Sequence, residues 1–188
     1  MINEKVLIFG GSGMLGKAIQ KYCIGKYDVI AQSSLQSNLI NEGSVKTWIE
    51  MTKPDIVINC AAKVGGIQAN MANQYEFMQR NLQMGLNFVT DLEELQIDYE
   101  PKIVYIGSSC MYPRDYIQPL KEEYLNKGEL EPTNFGYGMA KLATSNLLKL
   151  SKKGKTLIAP NMFGPNDNFD LNTSHLIPSI IRKISTMD

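Results

Sequence analysis

The chain has 188 residues, of which 44% are apolar and 20% are charged, and its formal net charge is zero. These values are typical of one globular domain and give no indication of a nucleic-acid groove or of attraction to an anionic membrane. No apolar run approaches the roughly 20 residues that span a bilayer. Cys23, Cys60 and Cys110 contain no C-x-x-C pair, so we expect reduced thiols and no metal site. The first predicted strand leaves no room for a signal peptide, and we therefore expect a soluble cytoplasmic protein.

The chain opens with a strand, a glycine-rich turn and a helix. Residues 6–9 form a short apolar run, which is typical of a strand buried on both faces. Gly10, Gly13 and Gly16 follow in G-x-x-G-x-x-G spacing, and an amphipathic helix continues from them. In this context the glycines tighten the turn and let the backbone approach a pyrophosphate at the positive end of the helix. A glycine-rich turn without a ligand is the alternative.

Strand and helix signals alternate along the rest of the chain. Further strands are predicted over 27–32, 55–62, 102–109 and 156–160, and helices over 43–51, about 74–96 and about 137–151, with a loop over 110–135. This alternation predicts an α/β fold, a doubly wound parallel sheet with helices on both faces. Ligands of such sheets lie beyond the carboxyl ends of the strands, where Gly10, Ala61, Ser108 and Asn161 fall.

The sequence Y-G-M-A-K places a phenol and an ammonium on one helix face, because Tyr137 and Lys141 are four residues apart. We expect the ammonium to lower the pKa of the phenol towards the range of a proton donor and acceptor. Ser108 follows a predicted strand, where its hydroxyl could donate to a substrate oxygen; a turn serine is the alternative interpretation. The three residues together favour oxidation or reduction of a carbonyl group.

Four separated segments resemble the GDP-L-fucose synthase family, within the extended short-chain dehydrogenases: CAAKVGGIQAN, GSSCMYP, LEPTNFGYGMAK and NMFGPNDNF with NTSHLIPSIIR. The resemblance runs from Val6 to about Lys183. It implies a Rossmann-type domain and an enzyme that inverts C3 and C5 of GDP-4-keto-6-deoxy-D-mannose and then reduces C4 with NADPH.

The resemblance also implies roles for five catalytic residues, Ser108, Cys110, Tyr137, Lys141 and His175. Ser108 and Tyr137 would stabilise the enolate oxygen, since C3 and C5 are acidic only next to a stabilised ketone. Cys110 would act as base and His175 as acid, and the sequence leaves open which group does which. Tyr137 would then protonate the alkoxide, while Lys141 would support the phenolate and bind the nicotinamide ribose.

The predicted cofactor is NADP(H), with NAD(H) as the second candidate. Neither an acid nor an arginine follows the second strand, and Ser12 stands where well-known members of the family carry a basic residue. The remaining cofactor contacts are expected at Gly10, Gly11, Ser12, Gly13, Met14, Leu15, Gly16, Ser33, Ser34, Asn41, Ala61, Ala62, Lys63, Ile106, Gly107, Ser108, Tyr137, Lys141, Ala159, Pro160, Asn161, Met162 and His175. Substrate contacts are expected at Ser108, Ser109, Cys110, Asn161 and Lys183.

The family resemblance further implies a homodimer in which the helices over about 74–96 and 137–151 pair across a two-fold axis. Residues 1–188 are expected to be the cofactor-binding domain with the catalytic residues, and the smaller C-terminal domain that binds the GDP-sugar is expected to be missing or truncated. Arg182 and Lys183 match a family Arg-Arg pair, although lysine lacks the planar fork of arginine. We therefore expect the isolated chain to be weakly active or inactive.

Two other functions are compatible with the sequence. Another sugar-nucleotide epimerase or dehydratase would keep Ser108, Tyr137 and Lys141 and would have no need for Cys110 with His175. A nucleotide-sensing module without catalysis would keep the glycine loop. Such modules often lose the tyrosine or the lysine, and both are present here.

Overall fold

The computed structural model describes residues 4–186 and confirms the predicted α/β fold. Strands in this part of the chain form one sheet and are named β1 (Lys5–Phe9), β2 (Asp28–Gln32), β3 (Ile56–Asn59), β4 (Lys102–Ser108) and β5 (Lys155–Ala159). All neighbouring strands are parallel, and their order in the sheet is β2-β1-β3-β4-β5.

The α-helices of the described residues are α1 (Met14–Cys23), α2 (Ser44–Thr52), α3 (Ile67–Ala72), α4 (Gln74–Glu93), α5 (Phe135–Ser151) and α6 (Leu176–Ser185). The connection from β1 to β2 runs towards one edge of the sheet, whereas the connections through α2, α4 and α5 run towards the other. Because parallel crossovers are right-handed, α1 lies on one face and α2, α4 and α5 lie on the opposite face. The result is a Rossmann-type, doubly wound sheet.

The main core lies between the sheet and the face formed by α2 and α4. Leu7 and Phe9 of β1 pack there with Ile49 of α2 and Phe88 of α4, and all four side chains are fully buried. Burial of each such side chain contributes about 1.5–3 kcal/mol, so this core fixes the strand ends relative to the helices.

A buried carboxylate joins α4 to the start of α2. Asp91 accepts hydrogen bonds from the backbone N–H groups of Gly43 (2.9 Å), Val45 (2.8 Å) and Lys46 (3.2 Å). These groups have no acceptor within their own helix, so Asp91 caps α2 from a distance in sequence. The sequence pattern contains no local signal for this cap.

The structure contains two α-helices that were not predicted, and one predicted helix, α4, is shorter than expected. Both α3 and α6 were not predicted, and α3 has only six residues, too few to show a clear helical period. The long helix predicted to end near Gln96 ends at Glu93. After α4 the chain leaves the helical path, and Leu95 and Ile97 pack against the main core.

No helix within residues 4–186 is long and apolar enough to cross a membrane. The same residues contain no cluster of three or more His, Cys, Asp or Glu side chains that could hold a metal ion.

Candidate active site

The glycine turn between β1 and α1 forms a tight backbone cradle. Gly10 has a φ of 76°, and a Cβ added there would lie 2.7 Å from the backbone nitrogen of Ala61. A Cβ on Gly16 would collide with the carbonyl oxygen of Gly10 and lie 2.8 Å from the Cα of Gly11. Gly13 precedes α1 without a side-chain cap, so N–H groups of the first helical turn remain free for an anion. The cradle fits a dinucleotide pyrophosphate.

The residues predicted to contact the adenosine half of the cofactor differ in their exposure and in whether their side chains already form hydrogen bonds. The Ser33 hydroxyl and backbone N–H both donate to Oε1 of Gln36, at 2.7 and 3.0 Å, so Ser33 is engaged in its own turn. Ser12, Ser34 and Asn41 are exposed. Of the two serines that follow β2, Ser34 is therefore the better candidate for a cofactor contact.

The segment after β3 is held by an asparagine of α4 that the sequence analysis missed. Asn81 is buried; its Oδ1 accepts from the Lys63 backbone N–H at 2.9 Å and its Nδ2 donates to the Lys63 carbonyl at 3.0 Å. The Lys63 ammonium forms an ion pair with Glu76 at 2.8 Å. Ala61 donates its N–H to Oδ1 of Asn59 at 2.9 Å, and Ala62, the next residue, is half-buried.

Lys141 is buried beneath the site. Its Nζ donates to the carbonyl oxygen of Ile106 at 2.8 Å and lies 4.6 Å from the centre of the Tyr105 ring. Burial lowers the pKa of Lys141 from 10.5 to about 8, against the opposing effect of Cys60. Burial also raises the pKa of Cys60 to about 12. The ammonium is therefore held at the carboxyl end of β4 at a cost in free energy.

Tyr137 lies on the same face of α5, with its ring centre 5.9 Å from Nζ of Lys141. Its pKa is raised to about 12, mainly because burial disfavours the phenolate; Cys110 also raises it, and the Ser108 side chain lowers it. The predicted lowering of this pKa is wrong, because desolvation outweighs any effect of the ammonium. The shared helix face was predicted correctly.

Ser108 ends β4, and Cys110 follows in a single turn of 3₁₀ helix, Ser109–Met111. The Ser108 hydroxyl oxygen accepts the Cys110 N–H at 3.2 Å, and the Ser108 side chain also hydrogen-bonds Tyr137. Nδ2 of Asn134 donates to Sγ of Cys110 at 3.2 Å. Asn134, also missed by the sequence analysis, lies within the quoted segment LEPTNFGYGMAK, directly before α5.

The structure brings His175 to the edge of the site through its backbone. Gly66, which follows β3, donates its N–H to the Thr173 carbonyl at 2.9 Å and lies tightly against the Ser174 carbonyl. The His175 side chain is exposed and makes no hydrogen bond or ion pair within residues 4–186. No contact in this part of the chain joins its imidazole to Cys110 or Tyr137.

The remaining predicted residues lie at or beyond the ends of the strands. Ala159 pairs with Ser108 at the ends of β5 and β4, and Ile106 and Gly107 are buried in β4. Pro160, Asn161 and Met162 continue from β5 and are exposed. Lys183 is exposed near the end of α6, and no described contact joins it to Ser108 or Cys110.

A cavity of about 1040 Å³ lies away from this chemistry. It is lined by Met139, Leu142 and Ala143 of α5 and by the loop before that helix. The lining contains none of the predicted catalytic residues, so we place the candidate active site at the carboxyl edge of the sheet.

Comparisons of the sequence and of the fold with known proteins identify sugar-nucleotide enzymes as relatives. The sequence profile described as the NAD dependent epimerase/dehydratase family matches residues 6–187. The chain is 39% identical over 189 residues to the GDP-L-colitose synthase of Yersinia pseudotuberculosis, covering 97% of this chain and 60% of that protein. It is 38% identical over 188 residues to the GDP-L-fucose synthase of Azorhizobium caulinodans, covering 96% and 59%. A GDP-L-fucose synthetase structure from Naegleria fowleri bound to NADP matches with a TM-score of 0.85 at 26% identity, over 98% of this chain and 62% of that one.

The chain thus spans about 60% of the length of these two curated relatives. The profile match includes the glycine cradle, the end of β4 and the Tyr137–Lys141 face of α5. The chain belongs to the NAD dependent epimerase/dehydratase family.

Proposed function

We propose that the chain forms the cofactor-binding and catalytic part of an NADP(H)-dependent enzyme that converts GDP-4-keto-6-deoxy-D-mannose to GDP-L-fucose. The observation that carries the proposal is the meeting of Ser108, Cys110, Tyr137 and Lys141 beside the glycine cradle. The 38% identity to a GDP-L-fucose synthase supports this substrate. The NADP bound to the Naegleria fowleri protein supports NADPH as the cofactor.

The glycine cradle and the segment after β3 are the parts that would hold the cofactor. A side chain at Gly10 or Gly16 would collide with neighbouring backbone, so the two glycines permit the tight turn that presents the N-terminus of α1 to a pyrophosphate. When bound, the nicotinamide cofactor supplies the hydride for C4. The neutral residues after β2 leave the 2′ position of the ribose without a repelling acid.

Epimerisation needs one group that removes the proton on C3 or C5 and another that delivers a proton to the opposite face. The Cys110 thiolate takes the proton, and the electron pair of the broken C–H bond moves into the enolate. Ser108 and Tyr137 donate O–H groups to the enolate oxygen and stabilise its charge. His175 is our candidate for delivering its own proton to that face, because the contact of Gly66 with Ser174 holds its backbone at the edge of the site.

Reduction at C4 leaves an alkoxide that must be protonated. With a pKa raised to about 12, Tyr137 is a protonated phenol at neutral pH and gives its proton to this oxygen. Lys141, with a pKa of about 8, is mostly protonated at neutral pH and stabilises the phenolate that remains. The raised pKa of the tyrosine therefore suits a proton donor.

GDP-L-colitose synthesis is the second candidate, favoured by the 39% identity to the Yersinia pseudotuberculosis enzyme. Identification of the sugar-nucleotide product by chromatography separates the two candidates.

The test is an incubation of the chain with GDP-4-keto-6-deoxy-D-mannose in heavy water, with and without NADPH. We expect deuterium to enter at C3 and C5 in both reactions and GDP-L-fucose to form only with NADPH. The Cys110→Ser variant should lose the exchange and retain NADPH binding. Undiminished exchange in the Cys110→Ser variant, or a reduced product other than GDP-L-fucose, would refute the proposal.

We also propose that two copies associate through α4 and α5. Tyr75 and Leu86 of α4 and Leu147 and Leu150 of α5 expose 79%, 50%, 38% and 79% of their surface, which supports an interface on these helices. Light scattering after gel filtration should give twice the chain mass, and Leu86→Glu with Leu150→Glu should halve it. A monomer at all concentrations would contradict this proposal.

A further inference from the structure

Asn134 occupies a helix-capping position but does not cap the helix. It directly precedes α5, and asparagine is among the residues preferred there because its side chain accepts from the first free N–H groups. In this structure the Asn134 side chain makes no such bond. We therefore expect the side chain to have a role other than capping, and its contacts indicate that role.

Gln74 of α4 supplies the cap instead. Its Oε1 accepts the backbone N–H of Gly136 at 2.8 Å, and its Nε2 donates to the carbonyl of Pro132 at 2.6 Å. One glutamine thus binds the chain on both sides of Asn134. Gln74 therefore satisfies one of the N–H groups at the start of α5, and the Asn134 amide is free to turn towards the active site.

The freed amide is directed at the cysteine. Nδ2 of Asn134 lies 3.2 Å from Sγ of Cys110, while Oδ1 is buried and has no hydrogen-bond partner within residues 4–186. An N–H donor favours the thiolate form of sulfur, which accepts hydrogen bonds more strongly than the thiol. A buried acceptor without a partner costs free energy, as expected of a group placed for function rather than for stability.

We propose that Asn134 is a positioning residue that orients Cys110 and stabilises its thiolate through the Nδ2–H to Sγ hydrogen bond, with Gln74 replacing it as the cap of α5. The importance of this bond for catalysis rests on the proposed function, in which Cys110 is the base. The bond itself can be tested without sugar or cofactor, so a failure of the proposed reaction would not affect the result.

The experiment measures alkylation of Cys110 by iodoacetamide in wild type, Asn134→Ala and the control Asn146→Ala, which replaces an asparagine within α5. Rates are measured near pH 7 and near pH 10, and Cys110 is quantified by mass spectrometry in the tryptic peptide 103–114, which contains no other cysteine. Tyr137, which faces Cys110 from α5, has a pKa of about 12 and stays neutral at both pH values.

We expect Asn134→Ala to slow alkylation about tenfold near pH 7 and to match wild type within about twofold near pH 10, because a hydrogen-bond donor matters less to a thiol in alkaline solution. The Asn146→Ala control should match wild type at both values. Should Asn134→Ala fail to fold by circular dichroism, the nearly isosteric Asn134→Asp is expected to slow the reaction near pH 7 even more.

Three results would overturn the proposal. An unchanged rate near pH 7 would mean that the amide does not act on the sulfur. Equal slowing at both pH values would mean that the substitution changes only access to Cys110. Faster alkylation near pH 7 would mean that the thiol donates to Oδ1 and that the amide has the opposite orientation.

Discussion

Replacement of Lys141 by methionine should stabilise the fold at neutral pH while abolishing reduction. Lys141 is buried, its Nζ contacts the Ile106 carbonyl, and its folded-state pKa is about 8 instead of 10.5. Folding removes water from the Lys141 ammonium, which is hydrated in the unfolded chain, and this desolvation costs free energy. Methionine fills a similar volume without this charge.

The size of the effect follows from the two pKa values. The fall from 10.5 to about 8 corresponds to a cost of about 3 kcal/mol at neutral pH. Loss of the hydrogen bond to Ile106 removes about 1 kcal/mol. The net gain in the free energy of unfolding is about 2 kcal/mol, which for a chain of this length raises the Tm by about 4–8 °C.

The pH dependence identifies the cause. Between pH 8 and 10.5 the unfolded chain binds more protons at Lys141 than the folded chain does, so wild-type stability rises with pH relative to the variant. The advantage of Lys141→Met is therefore complete below pH 8 and shrinks as the pH approaches 10.5.

Urea unfolding, followed by circular dichroism, measures the free energy of unfolding of both proteins at pH 7, 8 and 9. These pH values lie below, at and above the folded-state pKa of about 8. Lys149→Met, an exposed lysine of the same helix, is the control and should change stability by less than about 0.5 kcal/mol. A variant that is less stable than wild type at pH 7, or a difference that does not change with pH, would refute the reasoning.

Three further predictions concern the packing around the site. Gly16→Ala should weaken NADPH binding at least tenfold in a fluorescence titration, because the added Cβ meets the backbone of Gly11. Asp91→Ala should lower the free energy of unfolding by about 2–3 kcal/mol in urea, since it leaves N–H groups of α2 uncapped. Gly85→Ala should lower the Tm, because its Cβ collides with the Thr144 side chain, and Thr144→Ala should restore part of the loss; an unchanged Tm would contradict the close contact of α4 and α5.

Much of the fold could be predicted because its signals are local. The five apolar runs and the glycine spacing at Gly10, Gly13 and Gly16 identify the strands and the first turn from neighbouring residues alone. Helix α3 could not be predicted, because six residues show less than two turns of periodicity. The end of α4 was misplaced because Leu95 and Ile97 continue the apolar pattern after the helix has ended.

The site was predictable in its residue types and not in its electrostatics. The four-residue spacing places Tyr137 and Lys141 on one face, but burial decides their pKa values, and burial depends on the whole fold. Gln74 binds Pro132 and Gly136, about 60 residues away in sequence, so no local pattern reveals that it replaces Asn134 as a cap.

Buried polar atoms without a hydrogen-bond partner lower stability, and in this structure they lie towards the edge of the sheet where the active site is proposed. Five buried side-chain polar atoms lack a hydrogen-bond partner within residues 4–186, and they belong to Gln32, Asn70, Asn134, Asp167 and Ser174. Gln32 ends β2, and the other four lie in segments that follow β3, β4 or β5, which is the edge where ligands of a doubly wound sheet bind. None lies in the main core between the sheet and α2 and α4. Since native proteins satisfy nearly all buried polar groups, this distribution is expected if the carboxyl edge is shaped for ligands at the expense of stability.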